Sequence, residues 1–366
     1  MQLQSIQALR GLAAILVMLS HLYGIETRYS EPEQILSSAW LLGVSGVDLF
    51  FVISGFIMVW VTHETAPGVR ASVDFVLARV MRIYPVWWLF AGLMAAYFAL
   101  AYGVPWDPET LQRFDLSGPE HLIKSFLLIP HEAFPILQIG WTLMHEVYFY
   151  LVFAILLFLP IQARVPAAIV WALIIVAAAS VSFTGFYADS LAALALSPLT
   201  LEFLMGVGVG VLIKNGASRF ALIALGIGII WLVLGAQWIS FQSTDSSLPL
   251  RRTLAFGPAF ALIVYAVVVL EARTRLKSFV PTPLVRLGDW SYSLYLGHLL
   301  VLSGVARLFF PMFGGPGLID NAAFLILSSS IAIALAALVY YAFERPLAKA
   351  TRKLRSNIYQ PVSPHT

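Results

Sequence analysis

Residues 7–24 read QALRGLAAILVMLSHLYG, an almost unbroken apolar run interrupted by Arg10 and His21. At 1.5 Å per residue an α-helix of this length rises about 27 Å, close to the roughly 30 Å hydrocarbon core of a bilayer. Working outward with about 20 apolar residues per crossing, the chain offers further spans near 43–62, 83–102, 139–159, 167–184, 194–213, 220–239, 254–271, 288–310 and 322–343. The expected fold is all-α: a polytopic integral membrane bundle of about ten transmembrane helices. Residues 1–345 form one membrane domain and 346–366 a basic tail. The first run carries Arg10 and His21 and lacks a small-residue cleavage site, so it is expected to be retained rather than cleaved as a signal peptide.

Composition excludes the main alternatives. Of 366 residues, 60% are hydrophobic and 11% charged, and the mean hydropathy is +0.86; a soluble domain needs more charge to cover its surface. With no cysteine, there is no disulfide, thiolate zinc site or cysteine nucleophile, and no metal site is expected. The net charge of +3 is small and spread over alternate loops, which argues for membrane orientation and against nucleic-acid binding.

Loop charges set direction. Arg70, Arg79 and Arg82 precede the third span, Arg164 follows the fourth, Lys214 and Arg219 the sixth, and Arg273, Arg275 and Lys277 the eighth. Those loops should be cytoplasmic, as should the tail with Lys349, Arg352, Lys353 and Arg355. Acidic residues gather in the first loop (Glu26, Glu31, Glu33) and the third (Asp107, Glu109, Asp115, Glu120). Both termini therefore face the cytoplasm. Arg251 and Arg252 dissent, falling on the outer side of this scheme and putting the count at the seventh and eighth spans in question. The long connection 103–138 contains an apolar stretch, 121–130, too short to span; it lies along the interface or folds back over the helices. The run GVGVG at 206–210 reads as close helix packing.

An ionisable side chain inside a span costs a few kcal/mol even on lenient scales, so it faces a bundle interior or wet cavity and has a partner. Arg10 and His21, eleven positions apart, lie about 16 Å apart along the axis on roughly one face. Asp48 opens the second span, His145 and Glu146 sit in the fourth, Glu202 in the sixth and His298 in the ninth. Arg79 and Arg82 are neighbours on one helical face. Paired guanidiniums suit phosphate recognition, and a histidine with a carboxylate partner can take a proton from a hydroxyl near neutral pH. A phosphate-bearing cytoplasmic donor and a hydroxyl acceptor follow, with Asp48 or Glu146 polarising His21. Plainer readings stand beside these. A lone membrane histidine is commonly a satisfied core group, arginines at a helix start commonly anchor it, and Asp48 and Glu146 could simply neutralise buried cations. Ser54-Gly55-Phe56 suits close helix approach better than nucleophilic chemistry. Tyr84, Trp87 and Trp88 read as interfacial anchors.

The segments IQALRGLAAILVMLSHL, GVDLFFVISGF, FVLARVMRIYP, WTLMHEVYFY, GDWSYSLYLGH and the closing FERP together resemble the membrane-bound acyltransferase-3 family, especially members that acylate bacterial exopolysaccharides and O-antigens. Arg10 and His21 match its arginine, ten residues, histidine motif; Ser54, Gly55 and Phe56 its second-helix motif; Arg79 and Arg82 its third-helix arginine pair. The resemblance implies an acyl-CoA donor, usually acetyl-CoA, entering from the cytoplasm as a co-substrate, with no bound cofactor. Arg10, Arg79 and Arg82 are then the expected donor-binding residues. His21 is the essential catalytic residue, with Asp48 and Glu146 as its expected partners, and Ser54, Glu202 and His298 are candidate substrate contacts. No catalytic role carries onto His145. Relatives often append a soluble esterase-like domain that this chain lacks, so acceptor choice falls to the membrane domain and its loops. The expected function is transfer of an acyl group, acetyl in the first instance, to a hydroxyl of a surface or exported polysaccharide or its lipid-linked precursor, at the cell (inner or plasma) membrane. A transporter of a sugar-lipid or small anion along the same polar path is the alternative, and a proton-coupled channel or sensor a third. Oligomeric state is left open.

Overall fold

The computed structural model of the protein describes residues 3–30, 34–180, 189–239, 248–273, 280–313 and 317–358. Expectations about Glu31, Glu33, Arg275, Lys277, the end of the fifth span (181–184) and the tail beyond 358 lie outside the described residues. The rest is helical, with no strand among the described residues. In order it runs α1 (Gln4–Ser30), a 3-10 stretch (Ser38–Ser45), α2 (Gly46–Thr62), α3 (Val69–Tyr102), α4 (Pro108–Phe114), α5 (Gly118–Leu127) and α6 (Gly140–Leu156). There follow α7 (Ile161–Ser180), α8 (Leu191–Ala195), α9 (Thr200–Lys214), α10 (Ala221–Trp238), α11 (Leu248–Arg273), α12 (Thr282–Phe313) and α13 (Leu318–Val339). A π-helical turn (Tyr340–Glu344) then leads into α14 (Arg345–Ile358).

Nine of the described helical stretches are long and apolar enough to cross a bilayer, and α6, with 17 residues, is a shorter tenth apolar helix. The protein is a polytopic membrane bundle. Several helices overrun the apolar windows. The third span was expected to open at residue 83, but α3 begins at Val69 and continues for 34 residues, about 51 Å of rise against a roughly 30 Å core. Arg79 and Arg82 therefore lie well inside a helix rather than at its mouth, because a hydropathy window ends where charge begins whether or not the hydrogen-bonded ladder does. Arg251 and Arg252 are likewise inside α11.

Helix directions agree with alternating crossings. The first and ninth spans, α1 and α12, run parallel: a Cβ on Gly288 would lie 1.9 Å from the Gln7 carbonyl oxygen, and further along His298 meets His21. The second and sixth, α2 and α9, also run parallel: a Cβ on Gly206 would lie 2.0 Å from the Val52 carbonyl oxygen, one on Gly210 2.8 Å from Val59 Cβ, and Lys214 reaches the Trp60 ring at 4.3 Å, while at the crossing a Cβ on Gly55 would lie 1.9 Å from the Phe203 carbonyl oxygen. Both glycine runs thus serve the close approach their composition suggested. The seventh and eighth spans form an antiparallel hairpin, tied by Trp231 Nε1 to the Leu254 carbonyl at 3.0 Å, Arg251 Nη2 to that of Trp238 at 3.0 Å, and Tyr265 OH to that of Arg219 at 2.8 Å. Alternation therefore passes through this pair without a miscount.

The connection after α3 folds back over the bundle. Three aromatic side chains expected to anchor at the interface instead bind the end of the α5 segment: Tyr84 OH, Trp87 Nε1 and Trp88 Nε1 donate to the carbonyls of Leu127, Ser125 and Phe126 at 2.9, 3.1 and 3.0 Å. Two buried histidines close the loop. The Ala133 N–H donates to His131 Nδ1 at 3.1 Å, and His131 Nε2 lies 2.6 Å from His121 Nδ1, so Nε2 of His131 carries the proton and His121 accepts it. Burial and then the neighbouring His131 ring push the His121 imidazole down to about 4, and burial lowers that of His131. In the unfolded chain both would titrate near 6.5, so between about pH 6.5 and 4 the open state binds more protons and the closed loop loses stability as pH falls. Amide exchange across 118–136 should accelerate on going from pH 7 to pH 5, after correction for intrinsic rates. A His121→Phe variant should show a weaker pH dependence; equal dependence would remove the pair from the explanation.

Candidate active site

The ionisable residues singled out in the sequence sort into three groups along the bundle. His21 and His298 form the first. His21 Nδ1 lies 2.9 Å from the Val17 carbonyl oxygen, and His298 Nδ1 lies 3.1 Å from that of Leu294. Each carbonyl can only accept, so both rings carry their proton on Nδ1. His298 Nε2, 3.2 Å from His21 Nδ1, is then a second acceptor for the same proton. The arrangement leaves His21 Nε2 as an unprotonated lone pair with no hydrogen bond among the described residues, on a half-buried side chain. The side chain that meets the His21 ring is a second imidazole. Neither carboxylate expected in that role bonds to it among the described residues.

Asp48 belongs to the second group. The guanidinium of Arg252 grips it in a fork, Nε to Oδ1 at 2.8 Å and Nη2 to Oδ2 at 2.8 Å, with a further bond from Nη2 to the Val44 carbonyl at 3.1 Å. Both residues are fully buried. Such a bidentate pair is the strong form of a buried ion pair. This explains why Arg252 broke the loop-charge pattern: it is the counter-ion of Asp48, not a topology signal. Glu202 lies against this pair, fully buried, with neither carboxylate oxygen hydrogen-bonded among the described residues.

The third group lines a cavity between α1, α2, α3, α6 and α12 that contains Arg10, Ser54, Arg82, Glu146, Tyr150 and Tyr292 on its polar side and Phe50, Phe51, Ile53 and Met58 on its apolar side. Glu146 accepts from Tyr150 OH and, at 3.3 Å, from Ser54 Oγ, and Ser54 Oγ and Tyr150 OH are 2.9 Å apart. Ser54 Oγ is thus held in a hydrogen-bond network anchored on the Glu146 carboxylate. Arg10 is oriented by Gln7 Oε1 at 2.9 Å, itself held by Asp289, and stands within electrostatic reach of Arg82, Glu344 and Glu146. Arg79 packs its guanidinium over Phe75 and Tyr150, at 5.4 and 5.7 Å, while its Nε and Nη1 are buried with no hydrogen-bond partner among the described residues. Cations therefore outnumber the acids that face them at this end.

The cavity does not reach His21. Its wall includes Tyr295, whose OH is 2.8 Å from Thr142 Oγ1 and whose ring stands 6.0 Å from that of His298. One tyrosine layer separates the arginine-rich chamber from the histidine pair. The structure thus brings Arg10, Arg82, Ser54 and Glu146 together, joins His21 to His298, and sets Asp48 and Glu202 apart with Arg252. Sequence reasoning missed Arg252, Tyr150, Tyr295 and Glu344. Glu344 sits in the closing FERP segment at the end of the π-helical turn and accepts from Ser293 Oγ. A π turn is itself a frequent mark of a functional position, but no sequence pattern announces one.

The protein is thus a polytopic membrane bundle with a guanidinium-rich chamber at one end and a histidine pair beyond it. Residues 3–341 match the family model described as an acyltransferase domain, and the chain belongs to this acyltransferase-3 family; it is an O-acyltransferase. It is 34% identical over 327 residues to the exopolysaccharide production protein ExoZ of Rhizobium meliloti (strain 1021), covering 86% of this chain and 92% of that one. It is 28% identical over 344 residues to the acyltransferase MdmB of Streptomyces mycarofaciens, covering 84% of this chain and 81% of that one. No solved structure matches it.

Proposed function

We propose that the enzyme transfers an acyl group, acetyl in the first instance, from acyl-CoA to a hydroxyl of an exported polysaccharide or its lipid-linked precursor. The arginine end faces the cytoplasm, as do both termini, in the inner or plasma membrane of its cell. Acyl-CoA binds there as a co-substrate with Arg10, Arg79 and Arg82 toward its phosphates, and the pantetheine arm carries the thioester through the chamber past Tyr295. At His21 the acceptor oxygen attacks the thioester carbonyl, its proton passes to Nε2, and the C–S bond breaks. The CoA thiolate leaves and takes up a proton. His21 becomes an imidazolium whose Nδ1–H is already held by the Val17 carbonyl and by His298 Nε2, the orienting role a third group plays in acid-base relays. Glu146, bonded to Ser54 and Tyr150, is assigned to the charge balance of the chamber rather than to proton transfer.

The observation that carries this reading is the fixed tautomer of His21, which leaves Nε2 as a base beyond a cationic chamber. Likeness to a protein named for exopolysaccharide production supports the carbohydrate acceptor. The test is mass analysis of surface polysaccharide from cells with and without the protein, joined to transfer from labelled acetyl-CoA in isolated membranes. An acyl-sized mass increment that depends on the protein is expected. Polysaccharide of unchanged mass would remove the acceptor, and absence of label transfer would remove the donor.

A further inference from the structure

A second cavity, of about 300 Å³, opens between α3 and the C-terminal helix α14. Arg79 and Arg82 reach it from α3, Thr351, Arg352 and Arg355 from α14. Arg82 also lines the main chamber, so it stands where the two spaces meet. The wall is preformed: Arg355 clamps Asp74 of α3 through Nε at 2.7 Å and Nη2 at 2.5 Å, fixing α14 against the bundle. Two kinds of polar group in the wall await a partner. The Thr351 hydroxyl belongs to a residue only 8% exposed and has no hydrogen bond among the described residues, and Nε and Nη1 of Arg79 are buried in the same condition. Arg352 spends Nε on the Ala348 carbonyl at 3.2 Å, and its terminal nitrogens make no hydrogen bond among the described residues.

Buried polar groups without partners are costly, and a pocket holding three guanidiniums, Arg79, Arg82 and Arg352, besides the Arg355–Asp74 pair, against the single lining carboxylate of Glu344, calls for an anion rich in acceptor oxygens. A phosphate ester meets both needs, since guanidinium forks and a hydroxyl are its ordinary partners. We propose that this cavity is a phosphate-ester subsite in which Thr351 and Arg352 of the C-terminal helix complete what Arg79 and Arg82 begin, and that it takes the nucleotide phosphates of the acyl donor. This rests on the acyl-CoA reading above. The C-terminal helix is then part of donor recognition, a role that its basic, amphipathic sequence beside a membrane would not suggest.

The test is binding of adenosine 3′,5′-bisphosphate to the purified full-length protein in neutral detergent, followed by donor kinetics. Bisphosphate should bind the wild type and weaken about tenfold or more in Thr351→Val and in Arg352→Gln, the loss of a hydrogen bond to a charged group. With acyl-CoA as donor, both variants should raise KM while kcat holds, and the deficit should vanish with an acyl-pantetheine donor that lacks the nucleotide. Failure of bisphosphate to bind the wild type, or equal binding by both variants, overturns the subsite. An anionic lipid headgroup offers the same chemistry, so the titration is repeated with phosphatidylglycerol in the micelle; occupancy by the lipid that bisphosphate cannot displace also overturns it. Binding does not depend on turnover, so a wild type that binds bisphosphate yet transfers nothing from acyl-CoA refutes the donor reading and leaves the phosphate subsite standing.

Discussion

Replacing His21 with alanine is expected to lower acyl transfer by about 10²–10⁴-fold, the usual contribution of a positioned general base, with the protein still folded and still binding donor. His21 is half-buried and, among the described residues, its ring bonds reach the Val17 carbonyl and His298 alone, so its loss removes little packing. His298→Gln should be milder and should change the pH profile more than the donor KM, because His298 acts through His21 as a positioning residue. Rates with saturating labelled acetyl-CoA, together with thermal unfolding of each variant, decide the matter. Undiminished transfer in a folded His21→Ala protein would end the assignment. Label kept on wild-type protein but not on the variant, with donor present and acceptor absent, would instead make Nε2 an acyl carrier.

The largest effect on stability is expected from Arg252→Met. It leaves the Asp48 carboxylate, fully buried, without its fork, and truncating one partner of a buried ion pair costs about 3–5 kcal/mol. Adding Asp48→Asn to Arg252→Met should restore most of the loss, because the isolated charge is then gone. The monodisperse fraction after extraction and the unfolding midpoint in detergent read this out. A single variant as stable as wild type would show that the pair contributes no net stability, and a double variant no better than the single would show that Asp48 was never the liability.

The membrane bundle was legible from apolar run lengths alone, because a bilayer demands the same length of every helix. What the runs hid was helix beyond the bilayer: α3 continues through Arg79 and Arg82, whose charges end a hydropathy window but not a hydrogen-bonded ladder. Loop charge gave a consistent alternation except at Arg251 and Arg252. The exception resolved once Arg252 was found inside, facing Asp48, a pairing between residues 204 positions apart that no local pattern encodes. The site was legible in its members and not in its partnerships. Arg10, Arg82, Ser54 and Glu146 do meet at one cavity, but the expected pairing of His21 with Asp48 or Glu146 gave way to His298, since helix crossings, not sequence, set which buried groups touch. Tyr295 and Glu344 went unremarked because an aromatic ring in a span and an acid at its end look ordinary until the space between helices is seen.

The Asp48–Arg252 fork also fixes an order of events during synthesis. With 204 residues between the partners and chain growth of about 5–20 residues per second, the carboxylate exists for roughly 10–40 seconds before its cation has been made. Over that interval α2 must keep Asp48 in the hydrated headgroup zone, at the end of the helix where the residue lies. The helix that carries its cation, α11, then draws it inward on arrival. Final seating of the second helix thus waits on the eighth crossing, which makes the hairpin of α10 and α11 the latch of assembly and a nascent chain truncated before it the form most exposed to quality control.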